Sequence, residues 1–284
     1  MTDAFGALPI IRPRASRESR GICAAFYGAP GAGKTTLAAE VAQSKYGAPA
    51  LLVDCEGNTH VLAHHDNDSL HIVQPHTWRE VSSVVSNMGK MLKDKSFPYR
   101  TVIFDNLSEI ANMCADGIAP AEGFQLQHYR VLTTRMLELA HDLRDFTRFY
   151  PVNVIFIAWE TVERISEITT RKNLYFTPKL AEAFPGIMNM VGYISVHERR
   201  GVYTRRLSFA PSPDTQAKFN RAPTDNAQHI PLEIYYNLDD IMSGQPMCDL
   251  LDTLIGDAPW NSSKYLAPSR SASAERSNTG NASS

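Results

Sequence analysis

The sequence predicts an α/β fold: a mostly parallel central sheet flanked by helices, with an antiparallel hairpin toward its C-terminal end. Three observations predict it. Short apolar runs at 22–27, 50–54, 70–73, 101–105 and 152–158 alternate with segments of helical periodicity. The last four runs are continuously apolar rather than alternating, as strands covered on both faces of a sheet are. Strand–helix alternation of this kind implies right-handed crossovers between parallel strands.

Each element has a local reason. Helices are expected at 34–45, at 77–94 and at 124–149. In the last, Leu126, Tyr129, Leu132, Met136, Leu139, Leu143 and Phe146 recur at helical spacing, and Pro151 stops it. The runs Val191–His197 and Val202–Phe209 flank the turn Glu198-Arg199-Arg200-Gly201 and read as a hairpin added to the sheet edge. The organisation is an N-terminal arm at 1–21 carrying Arg12, Arg14, Arg17 and Arg20, a core at 22–258, and a Ser-rich disordered tail at 259–284.

Composition narrows the class. A chain of 284 residues, 43% apolar and 20% charged, suits one large α/β domain. The net charge of −2 gives no global attraction to nucleic acid, so any such binding must come from local basic patches. Cys23, Cys55, Cys114 and Cys248 lack paired spacing and read as reduced, mostly buried thiols. No membrane-length apolar run or signal pattern is seen, which predicts a cytoplasmic protein with no membrane partner.

Residues 28–35 carry the densest chemistry. Gly28-Ala29-Pro30-Gly31-Ala32-Gly33-Lys34-Thr35 is a complete GxxxxGK[ST] loop between an apolar strand and a helix that continues through Thr36. Its backbone N–H groups suit a triphosphate, Lys34 suits the β/γ-phosphates, and the Thr35 hydroxyl suits Mg²⁺. The loop implies a nucleoside triphosphate with Mg²⁺. The strand Thr101-Val102-Ile103-Phe104-Asp105 ends in a carboxylate expected beside the first strand, where Asp105 either orients Mg²⁺ or caps the helix starting near Asn106. A third strand end, Leu51-Leu52-Val53-Asp54-Cys55-Glu56-Gly57, places two carboxylates two residues apart.

With these three strand ends the chain resembles the RecA-like P-loop ATPase core, over about residues 20–225. It looks most like the phage RecA-like ATPases linked to single-strand annealing and recombination. The resemblance implies that Glu56 polarises the attacking water, a contribution worth roughly 10²–10⁴ in rate. It further implies a homo-oligomer with nucleotide at subunit interfaces, completed in trans by Lys218 or Arg221. It implies single-stranded DNA as partner, with a single-strand binding protein as another, and the host cytoplasm if the chain is phage-encoded. One departure is plain. RecA-like recombinases carry a γ-phosphate-sensing Gln after the fourth core strand, where this chain has Trp159 and Glu160.

A DNA surface is expected from two basic segments. One holds Arg199, Arg200, Arg205, Arg206, Lys218 and Arg221. The other holds Arg164, Arg171, Lys172 and Lys179 beside Tyr175 and Phe176. The cluster His60, His64, His65, His71 and His76 has no evident third ligand at metal spacing and reads as surface or interface imidazoles. Rival readings are a P-loop kinase acting on a small acceptor, and a nucleotide-stabilised DNA-coating protein without turnover. An AAA+ helicase loader would need a helical lid, for which 225–258 looks too short and too acidic.

Overall fold

The sheet is built by one period-two pattern that buries both of its faces. The structure, a computed structural model, describes residues 21–62, 68–119, 124–164, 166–167, 170–199, 202–220, 225–237, 245–256 and 258–265. In chain order the elements are β1 (Cys23–Gly28), α1 (Lys34–Ala39), β2 (Ala50–Asp54), β3 (Leu70–Val73), α2 (Trp78–Lys93), β4 (Thr101–Asp105), α3 (Leu107–Asp116) and α4 (Leu126–Phe149). There follow β5 (Asn153–Arg164), β6 (Thr170–Leu174), α5 (Pro178–Ile187), β7 (Met190–Arg199), β8 (Val202–Ser208), β9 (Lys218–Phe219), α6 (Asp225–Gln228), β10 (Glu233–Tyr236) and α7 (Pro246–Leu254).

The strands run β10-β8-β7-β1-β5-β4-β2-β3, with β6 on β5 and β9 on β7. From β7 through β3 every pairing on this path is parallel, while β8 and β10 add antiparallel. Odd and even positions separate cleanly. Ala25, Tyr27, Val53, Phe104 and Phe156 join the core beneath α2–α5, while Ala24, Phe26, Leu52, Ile103 and Ile155 join the core beneath α1 and α7. Both faces are dry, which is why these strands read as unbroken apolar runs.

Several expectations change. The hairpin is not simply added to the edge: its first strand, β7, pairs parallel with β1, and only β8 reverses. β4 is not beside β1, because β5 lies between them. α1 leans across β5 toward β4, so a residue at its start still reaches the end of β4. β3 is an exposed edge strand, with Ile72 and Val73 open to solvent. α1 tightens at Glu40 into a 3₁₀ turn, Glu40–Gln43. In α4, Leu132, Met136, Leu139 and Leu143 are buried as expected, but Leu126 and Tyr129 are exposed.

β5 continues past the core to Arg164 and folds back as β6, an antiparallel pair whose outer half is solvent-facing. The expected tail begins as packed structure. Trp260 and Tyr265 stack at 5.0 Å and are buried against the α1–α7 core, because two aromatics outweigh their serine neighbours. Residues 1–20 and 266–284, and with them most of the expected arm and tail, lie outside the described residues. All four cysteines are free and buried, and burial pushes the Cys23, Cys55 and Cys248 thiols up to about 12. No helix among the described residues is long and apolar enough to cross a membrane.

Candidate active site

The phosphate loop leaves β1 through Gly28 because nothing larger fits there. A Cβ on Gly28 would collide with the Ile194 carbonyl oxygen on neighbouring β7. The loop enters α1 through Gly33, whose φ of 86° is a left-handed conformation that glycine adopts without strain. Lys34 begins the helix, and its ammonium donates to the carbonyl oxygens of Gly28 (3.0 Å) and Ala29 (2.9 Å). An ammonium has three protons, so one donor remains for a phosphate oxygen.

Thr35 and Asp105 meet as the sequence anticipates: the Thr35 hydroxyl donates to Asp105 Oδ2 at 2.5 Å. The alternative of Asp105 as a helix cap falls away, because Asn106 takes that post. Its Oδ1 accepts the Glu109 N–H at 2.8 Å. Asp105 Oδ1 is buried without a hydrogen-bond partner. Burial raises its carboxyl to about 6, with Glu56 and Asp54 pushing the same way and Thr35 and Lys34 opposing. A buried, unpartnered carboxylate oxygen beside a hydroxyl fits Mg²⁺, which takes one or two protein oxygens and completes its shell with phosphates and water. Among the described residues no group of three or more His, Cys, Asp or Glu forms an all-protein metal cage.

Glu56 is fixed by its neighbours at both its backbone and its carboxylate. Asp54 shapes the turn after β2 by accepting the N–H groups of Glu56 (3.2 Å) and Gly57 (2.8 Å), while Gln74 donates to its other oxygen (2.9 Å). The Glu56 carboxylate is then gripped from two strand ends. Asn106 Nδ2 donates to Oε2 at 2.8 Å, and the Trp159 indole N–H donates to Oε1 at 3.3 Å. Its charge acts on both Lys34 and Asp105, so the three groups share one space over the loop. Burial lowers the Lys34 ammonium, and Asp105, Glu56 and Glu160 oppose that shift.

Lys34, Thr35, Asp105 and Glu56 are therefore brought together, around the loop from Gly28 to Thr36. Lys218 is not among them. Its ammonium donates to the carbonyls of Pro185 and Gly186, both at 3.2 Å, in the last turn of α5. There it serves as a cation at a helix C-terminus. Arg221 lies outside the described residues. The residues that sequence reasoning missed are Asn106 and Trp159. Trp159 stands at the place where the resemblance wanted a glutamine, which was the available signal.

The basic segments are only partly free. Arg164 donates to the carbonyls of Ser166 and Glu167, Lys172 turns to Tyr193, and Arg206 pairs with Glu233 at 3.4 Å. Lys179 and Tyr175 are exposed. Of the histidines, His71 bonds the Tyr99 hydroxyl at 2.9 Å, whereas His64 and His65 lie outside the described residues.

Residues 20–221, most of the chain and all of this site, match a protein-family profile described as an AAA domain (AAA_24). The chain belongs to that AAA domain family. No curated protein matches the chain. Membership makes this a P-loop ATPase domain, in keeping with the Lys34–Thr35–Asp105 geometry.

Proposed function

We propose that this AAA domain protein is a Mg²⁺-dependent ATPase of RecA-like type that works on single-stranded DNA in recombination or strand annealing. The observation that carries the hydrolytic part is the Glu56 carboxylate, fixed by Asn106 and Trp159 beside Lys34 and Asp105. Phosphoryl transfer to water asks the protein mainly for positioning and charge stabilisation. The loop amides and Lys34 hold the phosphates, Thr35 and Asp105 seat the metal, and Glu56 accepts a proton from the attacking water. Mg²⁺, when bound, neutralises charge on the terminal phosphates.

The charge around the loop supports an oligomer. Asp54, Glu56, Asp105 and Glu160 gather round Lys34 and the place of the metal, a setting in which a further cation from a neighbouring copy would stabilise the transferring phosphoryl group. Arg221 is the candidate for it, since the Lys218 ammonium is committed to α5. For DNA, the support is the solvent-facing part of the β5–β6 pair and the chain after it, where Tyr175 offers a ring and Lys179 a cation.

The deciding experiment measures ATP turnover with and without single-stranded DNA, alongside a sizing run with non-hydrolysable nucleotide. Turnover is expected to rise severalfold with DNA, and the protein to assemble with nucleotide. DNA-independent turnover by a monomer would overturn the reading, and turnover only with a small acceptor would point to a kinase. Trp159 offers a finer probe of the same site. In Trp159→Phe an aromatic ring stays and the indole N–H goes, loosening Glu56 on one oxygen. A hydrogen bond to a charged group contributes about 1.5–3 kcal/mol, so kcat is expected to fall roughly 10- to 100-fold with ATP affinity nearly unchanged. Steady-state kinetics with a separate binding titration checks it, and an unaltered kcat would remove the indole from the mechanism.

A further inference from the structure

Lys172, which the sequence places among the expected DNA contacts, lines a cavity at the phosphate loop. The cavity, of about 270 Å³, has Pro30 and Gly31 on one side and Glu160, Lys172, Tyr193 and Ser195 on the other. That is room enough for a hydrated phosphoryl group.

Lys172 is built into this cavity from three directions. Its carbonyl accepts the Gln216 N–H at 3.3 Å, and the Gln216 carbonyl in turn accepts the hydroxyl of Tyr27, the residue immediately before Gly28, at 2.6 Å. Its N–H donates to the Asp214 carbonyl at 2.7 Å. Its ammonium donates to the Tyr193 hydroxyl at 2.6 Å and lies 5.1 Å from that ring's centroid. Strand register agrees with this placement. Lys172 lies opposite Val162, so it shares a face with Glu160, and Tyr193 and Ser195 line the same cavity from β7. Glu160 and Arg206 are the other charges acting on Lys172. One donor is engaged by Tyr193, which leaves ammonium protons for an anion entering over Pro30 and Gly31.

We propose that Lys172 contacts the terminal phosphate of the bound nucleoside triphosphate from within the same chain, so that the β5–β6 pair is tied to the presence of that phosphate. The tie is mechanical: the residue touching the phosphate is bonded through its backbone to Gln216, which holds the Tyr27 hydroxyl at the root of the loop. This rests on the Gly28–Thr36 loop holding the triphosphate, but not on hydrolysis by Glu56 or on DNA binding.

The test is a binding titration of the full chain with Mg²⁺, using ADP and a non-hydrolysable ATP analogue as probes. In Lys172→Met the analogue is expected to bind about tenfold or more weakly, with ADP affinity within twofold of the parent. Lys172→Arg is expected to recover most of the loss. Equal weakening of both nucleotides would make Lys172 structural, and no weakening of either would remove the contact; both overturn the proposal. Should Lys172→Met fail to fold, Lys172→Gln is held to the same split between the two nucleotides. Because nothing in this assay turns over, its failure is distinct from a failure of Glu56-dependent hydrolysis.

Discussion

Glu56→Gln is expected to lower kcat for ATP by roughly 10²–10⁴ while ATP affinity stays within about threefold. Gln keeps the length and one acceptor oxygen but cannot take a proton from water. The binding groups, Lys34 and the Gly28–Thr36 loop, are untouched. The substitution has one structural cost. Asn106 Nδ2 and the Trp159 indole N–H both donate to Glu56, so the amide nitrogen of Gln must face one of them. That lost bond costs about 1–3 kcal/mol locally, which a thermal melt registers. Single-turnover kinetics with a separate equilibrium titration divides chemistry from binding. Wild-type turnover already as slow as the variant's would favour a nucleotide-stabilised coat over an enzyme. A variant that still hydrolyses ATP at the parental rate would hand the role of base to another group.

The parts of this site that were legible in the sequence are those written locally. The phosphate loop is eight consecutive residues, and Asp105 and Glu56 each sit at or just beyond the end of an apolar strand. The period-two burial of β1, β2, β4 and β5 follows from the same runs. What was not legible depends on distant partners. Asn106 meets Glu56 across 50 residues, and Trp159 meets it across 103. No local pattern specifies either contact, since both arise from strand order. β6 was missed because Thr170-Arg171-Lys172-Asn173-Leu174 is polar and is held by pairing with β5 rather than by an apolar face. Lys172 read from the same segment as a cation for DNA, and the fold adds that its ammonium meets the Tyr193 hydroxyl. The Lys218 contact was hidden for a related reason: a basic residue in a loop carries no mark of the helix end its ammonium will meet.

Glu40 yields the largest expected effect on stability. It follows α1 at the start of the 3₁₀ turn, sealed under α7, where its carboxylate accepts the Met247 N–H at 3.1 Å and its carbonyl accepts the Cys248 thiol at 2.9 Å. Burial raises its carboxyl from 4.5 to about 8; Asp249 adds to the rise, and the Met247 N–H opposes it. Tyr236, Cys248 and Tyr265 lie within reach of its charge, and Lys264 is engaged by Asp249 at 3.0 Å. The sign follows from which state gives up the proton. Below pH 4.5 the group is protonated folded or unfolded, and its titration costs the fold nothing. Between pH 4.5 and about 8 the unfolded chain releases the proton and the folded chain keeps it, so stability falls as pH rises. Across the whole window the loss is on the order of 5 kcal/mol. An amide in place of the acid keeps the acceptor for Met247 and has no proton to lose. Glu40→Gln is therefore expected to equal the parent near pH 5 and to exceed it by about 3–5 kcal/mol near pH 8.5. Urea unfolding of nucleotide-free protein at the two pH values measures the difference. Parallel profiles for parent and variant would mean that the carboxylate is hydrated, and α7 then could not be packed over the helix that presents Lys34 and Thr35.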